Sequence, residues 1–260
     1  MRIASWGHAV FSATLIALGV LGLARGRFTP IWEPVPAFAP AHTALAYLCA
    51  LVFLIPGIAL FWRRTAPAAS RVLLGVLVAW LVLADAPDLA LHVGMDFTWA
   101  VAKTAVMVAA AWVLYVWFAG ERDASRLRFA TGESGLRIAR TLCGLGSIVF
   151  GVAHFTFLAR TVGMVPGWLP WHLGWAYFFG CTFIAAGVGM IVGVYARLAA
   201  VLLVAQVALF TALVWVPVVV SGHPTASDWA EFIESWVLLA AAWVVADSYR
   251  GVPWRAVGRR

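Results

Sequence analysis

Apolar residues fall in eight long stretches along this chain, at roughly 9–25, 42–62, 69–86, 98–119, 137–159, 172–192, 196–220 and 229–247. A helix needs about 20 largely apolar residues to cross the ~30 Å hydrocarbon core of a bilayer. The pattern therefore predicts an all-α fold, a polytopic bundle of eight transmembrane helices. Polar separators lie where turns are needed: Trp62-Arg63-Arg64, the charged stretch 120–137, and Pro/Gly-rich loops at 26–41 and 160–171. The third stretch is the least regular, because Asp85, Pro87 and Asp88 break its far end; no mid-helix break is evident in the others. The opening segment MRIASWGHAVFSATLIALGVLGLARG carries only Arg2 as a leading charge and no small-x-small cleavage site. It reads as an uncleaved first helix.

Composition agrees with this picture. Of 260 residues, 64% are hydrophobic and 11% charged, with a mean hydropathy of +0.94, whereas a soluble domain carries about 25% charged residues. The net charge of +7 and pI near 10 would point to nucleic acid in a soluble protein. Here the arginines sit at helix ends, so they report topology and contact with the anionic head groups of the bilayer. With the N-terminus in the cytoplasm, fourteen arginines (2, 63, 64, 71, 122, 126, 128, 137, 140, 197, 250, 255, 259 and 260) lie at inner ends and three (25, 27 and 160) at outer ends. The positive-inside rule then predicts both termini in the cytoplasm of an inner-membrane protein. Cys49, Cys143 and Cys181 are isolated inside apolar spans and read as inert packing residues, without the spacing of a redox or zinc motif.

An internal repeat organises the spans. Residues 35–47 (VPAFAPAHTALAY) and 165–177 (VPGWLPWHLGWAY) share Val35, Pro36, Pro40, His42, Ala46 and Tyr47 with Val165, Pro166, Pro170, His172, Ala176 and Tyr177. Gly57 then matches Gly187, Arg71 matches Arg197 and His92 matches His223. Ala109-Ala110-Ala111-Trp112 matches Ala240-Ala241-Ala242-Trp243 at the same distance from its histidine. Four spans per unit make the repeats parallel rather than inverted. The expected divisions are a four-helix repeat over 1–120, a cytoplasmic linker over 121–136, a second repeat over 137–249 and a basic tail over 250–260.

The candidate chemistry lies toward the outer face. Paired prolines make stiff loops just before His42 and His172, and with Tyr47 and Tyr177 these would line an outer-leaflet pocket; helix initiation with anchoring by Phe38, Trp168, Trp171 and Trp175 is the alternative. Lys103, the one lysine, and Glu234 each fall eleven residues after the matched histidine. Charges inside a membrane segment are costly unless paired or hydrated. They either pair with each other, or Lys103 snorkels outward while Glu234 joins Glu231 at the aqueous edge. Arg25 and His154 each stand three residues after a glycine, Gly22 and Gly151, as pocket or anchor residues. Five histidines (His42, His92, His154, His172 and His223) and the acids Asp85, Asp88, Asp96, Asp228 and Glu231 share the outer side, but no metal- or haem-ligand spacing joins them. His42 facing His172 is the one arrangement pseudo-symmetry would offer a haem.

Residues 151–200, GVAHFTFLARTVGMVPGWLPWHLGWAYFFGCTFIAAGVGMIVGVYARLAA, resemble the DoxX-like family of bacterial four-helix membrane proteins. The shared features are a glycine and a basic residue in helix one, the VPxWLP loop, a glycine-rich second helix and an arginine opening the third. The segment around Lys103 is similar to the family's lysine-bearing fourth helix. Thr182 and Phe183 stand where the family often has an acid. The resemblance implies a compact four-helix module associated with quinone-linked sulfur or thiol oxidation. It makes the chain a candidate redox accessory subunit, with a quinone or other lipid-like ligand as cofactor and a membrane redox partner or a second copy of itself as companion. A small-molecule or ion transporter and a structural assembly subunit are the alternatives. An enzyme acting alone has least support, since no nucleophile constellation, phosphate loop or metal motif is present.

Overall fold

The computed structural model describes residues 3–33, 35 and 41–258. Arg2, Pro36, Phe38, Pro40, Arg259 and Arg260 lie outside the described residues, as does the side chain of Arg122. Among the described residues, eight helices are long and apolar enough to cross a membrane: α1 (Trp6–Arg25), α2 (His42–Ala59), α3 (Ala66–Leu91), α4 (Met95–Phe118), α5 (Gly132–Thr156), α6 (His172–Val192), α7 (Ala196–Val220) and α8 (Ala226–Asp247). This is the architecture of a multi-pass membrane protein. No strand occurs among the described residues.

Local chemistry starts and stops the helices. Ser5 caps α1, its hydroxyl accepting from the His8 amide, and Gly26 ends it in the left-handed region. Thr225 and Asp228 form a capping box at α8, satisfying amides that have no partner inside a helix. Ala41 before α2 and Trp171 before α6 both take positive φ (48° and 59°), so His42 and His172 open their helices after the same backbone turn.

The third span corrects the sequence expectation. The chain does not break at Asp85, but continues through a π-helical turn at Leu81–Asp85 to Leu91. A second π-turn, at Thr211–Trp215, interrupts α7, where no irregularity was expected. Proline explains both. Pro87 and Pro217 lack an amide and would clash with the carbonyl four residues earlier; those carbonyls, of Leu83 and Leu213, fall within the widened turns.

Each helix packs on the next in sequence, α4 also packs on α5, α8 on α1, and α4 meets α8. The last helix of each half thus packs on the first helix of the other. In α4 and α8, 72% and 56% of the apolar window is buried, against 28% in α3 and 33% in α2, α6 and α7. The central pair is the Ala-rich one: Ala109, Ala110, Ala111, Ala240 and Ala241 have no exposed surface, and small side chains let backbones approach closely. Cys49 and Cys143 are buried, but Cys181 is exposed on the outside of α6, so it is not the packing residue its apolar context implied.

One end of the bundle carries most of the arginines. There Arg140 pairs with Glu133 (2.7 Å), donates to Ser248 Oγ (3.1 Å) and lies 4.2 Å from the Tyr249 ring centroid. Burial raises the Tyr249 phenol above its ordinary pKa. Arg197 donates to the Val252 carbonyl (3.1 Å) and stacks on Trp254, which folds the 250–258 segment back on the bundle. The opposite end, carrying His42, His92, His172 and His223, is called the histidine end below.

The α5–α6 contact depends on glycine. A Cβ at Gly144 would come within 2.8 Å of the Gly187 carbonyl oxygen, and one at Gly151 within 2.6 Å of the Gly180 carbonyl oxygen. Gly187→Leu is expected to destabilise the protein by about 1–3 kcal/mol through overpacking, read as a lowered unfolding midpoint in detergent. Gly75→Ala, where a Cβ meets nothing within 4 Å, is expected to leave the midpoint unchanged or slightly raised.

Candidate functional site

An ammonium group buried in an apolar bundle must find an acceptor for each of its three protons. Lys103, 4% exposed, finds them all: Glu234 Oε1 at 2.5 Å, the Pro30 carbonyl at 3.1 Å and the Glu33 carbonyl at 3.1 Å. Lys103 is the ninth residue of α4 and Glu234 the ninth of α8, so each lies about 12 Å from its helix start at 1.5 Å per residue. Of the two arrangements open from sequence, pairing is the one formed.

The two carbonyls come from the α1–α2 connection, which dips into the bundle. A short turn of 3-10 helix at Pro30–Trp32 starts on a proline, and Ile31 and Trp32 are 2% and 1% exposed. The Trp32 indole stacks on Phe53 of α2 (4.6 Å, 21°) and meets Trp80 of α3 edge-on (4.8 Å, 67°). The chain itself thus fills the space between α2, α3 and the Lys103–Glu234 pair.

Across that pair, the space among α4, α5, α6, α7 and α8 is open. A cavity of about 330 Å³ reaches from Asp96, Arg160 and Glu231 at the histidine end down to Cys143 and Ala242. From Glu231 to Ala242 is eleven residues of α8, about 16 Å. Lys103, Glu234 and His154 line its wall, and its depth is apolar, with Phe150, Phe183, Leu203, Val207 and Leu238. Its volume is at the lower end of the range for small-molecule sites, about 300–1,000 Å³. Arg160 pairs with Glu231 at the mouth. A second cavity of about 190 Å³ shares His154, Thr161, Met164 and Phe210 with the first and runs beneath Val165, Pro166, Trp168 and Leu169 toward Trp175 and Phe179.

The hydrogen bonds of the wall fix which groups remain available. His154 Nδ1 is 2.7 Å from the Phe150 carbonyl. A carbonyl only accepts, so Nδ1 carries the proton and, in the uncharged ring, Nε2 is an acceptor. Ser147 donates to the Cys143 carbonyl (2.8 Å) and Thr161 to the Phe157 carbonyl (3.2 Å). Thr211 donates to the Val207 carbonyl (2.8 Å), so in its 2.6 Å contact with Ser235 the serine is the donor.

Of the eight residues singled out from sequence, the structure brings Lys103, Glu234 and His154 to one cavity. Arg25 is exposed at the end of α1. His42, also exposed, sits edge-on to Phe28. His172 opens α6 partly buried, Tyr47 lies over Gly26 and Tyr177 against Phe155; none of these five lines the cavity. Trp168 and Trp171 are 71% and 85% exposed, as interfacial anchors are. Three features had no sequence signal: Trp32 as a buried plug, the Pro30 and Glu33 carbonyls as lysine acceptors, and the aromatic lining from Trp99, Phe150, Phe183 and Trp215. Among the described residues no group of three or more His, Cys, Asp and Glu is placed to hold a metal ion.

Comparison with family models, curated proteins and solved structures finds no match for this chain.

Removing one member of a buried ion pair leaves the other charge uncompensated and costs about 3–5 kcal/mol, whereas replacing both is far milder. Glu234→Gln and Lys103→Met are each expected to destabilise by that order, with Lys103→Met/Glu234→Gln recovering more than half. Unfolding of the four proteins as a double-mutant cycle measures it. Additive losses would mean the pair is not coupled.

Proposed function

We propose that this chain binds a quinone-class, lipid-soluble ring in the cavity among α4–α8, as an accessory subunit of a membrane redox system. The observation that carries this reading is the cavity itself: polar groups and an ion pair whose lysine protons are all engaged on one wall, aromatic and aliphatic side chains in its depth. The connected apolar chamber beneath the Val165–Leu169 loop has the chemistry to take a hydrocarbon tail. The indole-sized ring that Trp32 inserts between Phe53 and Trp80 is a precedent within the chain for a planar ring in such a space. Electrons would come from the ligand or a partner protein, because no side-chain constellation of the chain supplies them.

The reading includes a DoxX-like identity with two parallel four-helix repeats. Its support is the recurrence of contacts (α1 on α2 as α5 on α6, α3 on α4 as α7 on α8, α4 on α5 as α8 on α1). The matched positive-φ turns before His42 and His172 and the matched π-turns agree with it. The arginine distribution orients the bundle in a bacterial inner membrane with both termini cytoplasmic, so the cavity opens toward the outer side.

Ligand binding is tested by titrating the purified chain in lipid nanodiscs with a naphthoquinone by calorimetry, against protein-free nanodiscs. Saturable binding is expected, weakened about tenfold or more in Val207→Trp, which fills the cavity; no heat beyond partitioning would end the quinone reading. Orientation is tested separately with Gly120→Cys and Gly167→Cys, both at positions where a Cβ meets nothing. In intact cells a membrane-impermeant maleimide is expected to label the second and not the first. The reverse pattern would invert the topology.

A further inference from the structure

We infer that the cavity among α4–α8 selects a ligand by its hydrogen-bond donors, taking the hydroxyl-bearing, reduced form of a quinone-class ring in preference to the carbonyl form; this rests on the quinone reading above. The polar groups of the wall have spent their donors and kept their acceptors. Lys103, the obvious donor to a ligand carbonyl, already gives its three protons to Glu234, Pro30 and Glu33. The hydroxyls of Ser147, Thr161 and Ser235 donate inward, to the Cys143 carbonyl, the Phe157 carbonyl and Thr211.

The acceptors are different. Asp96 lines the cavity at its mouth, where it is exposed, and meets no hydrogen-bond or ion-pair partner among the described residues. Glu234 accepts from Lys103 and from the Trp99 indole, yet a carboxylate has about four lone-pair sites, so about two remain. His154 presents Nε2 as an acceptor once Nδ1 is held by the Phe150 carbonyl. The remaining donors are weaker or already engaged. They are the neutral indole of Trp215, the Trp99 indole bonded to Glu234, and Arg160, held by Glu231 at the mouth. The Glu234 carboxylate and the His154 imidazole nitrogen, in the largely apolar chamber beneath Asp96, favour an O–H, because hydrogen bonds to charged acceptors are about twice as strong as neutral ones. A carbonyl ligand would leave these acceptors desolvated and unpaired.

The charge balance points the same way. The lining carries Asp96, Glu231 and Glu234 against Lys103 and Arg160, so the wall is acidic by one charge with His154 neutral. A site assembled to grip a quinone carbonyl would need a free cationic or hydroxyl donor at this level.

The experiment is calorimetric titration of the intact chain in nanodiscs, without oxygen, with naphthohydroquinone, its dimethyl ether and naphthoquinone, each corrected for partitioning into protein-free nanodiscs. The hydroquinone is expected to bind about tenfold or more tightly than either of the others, as expected where a donor meets a site built for it. His154→Ala is expected to narrow that ratio several-fold; Asp96→Asn, at the exposed mouth and removing no partner of a buried charge, should narrow it less. Equal binding of all three, or tighter binding of the quinone, would overturn the donor selectivity while leaving the cavity a quinone-class site. Absence of binding by any of the three would remove both.

Discussion

A positive charge in the middle of a helical bundle has to be answered within the bundle, and the Lys103 ammonium organises what surrounds it. Its three protons reach two separate parts of the chain: α8 through Glu234, and the α1–α2 connection through two carbonyls. Loss of any one would leave a desolvated donor whose cost exceeds the worth of an ordinary hydrogen bond. The interaction therefore fixes the register of α4 against α8, the two most buried helices, and holds the connecting segment down inside the bundle. The two accepting carbonyls, of Pro30 and Glu33, stand at the start and the end of the short 3-10 turn that Pro30 opens.

That segment makes the molecule asymmetric. On one side of the ion pair, Trp32 fills the space against Phe53 and Trp80; on the other, the α5–α6 connection forms a short helix at Leu158–Met164 that buries none of its residues, and the cavity stays open. The buried Trp32 indole is part of the difference. The proposed function follows from it, since the open side has both a polar wall and an apolar depth. The close α5–α6 approach through Gly144 and Gly187 brings Phe150, His154 and Phe183 together on the cavity side.

Helical irregularity is confined to places where the chain lacks an alternative. Pro87 and Pro217 each sit just beyond a π-turn, and each turn ends on a residue turned inward, Asp85 and Trp215, buried to 6% and 5% exposure. A π-turn is uncommon and often marks a functional position. Trp215 lines the cavity, while Asp85 stays in the filled half with one carboxylate oxygen unpartnered.

The number, placement and apolar character of the spans were legible in the sequence, because crossing a bilayer demands a length and a composition that no tertiary contact can supply. The opposite charges at Lys103 and Glu234 were legible as a matched pair for the same reason: a charge within an apolar run stands out. The sequence by itself left open whether they touch, since hydropathy reports depth along a helix and not the direction a side chain faces. It also favoured His42, His172, Tyr47 and Tyr177, conspicuous in or just after the Val-Pro loops, although the described structure leaves them outside the cavity lining. The site was decided by tertiary packing, which placed backbone carbonyls against an ammonium, put an indole in one space and left the other empty. Carbonyls are identical at every residue, and whether a tryptophan in a loop faces water or the core depends on the helices it finds around it.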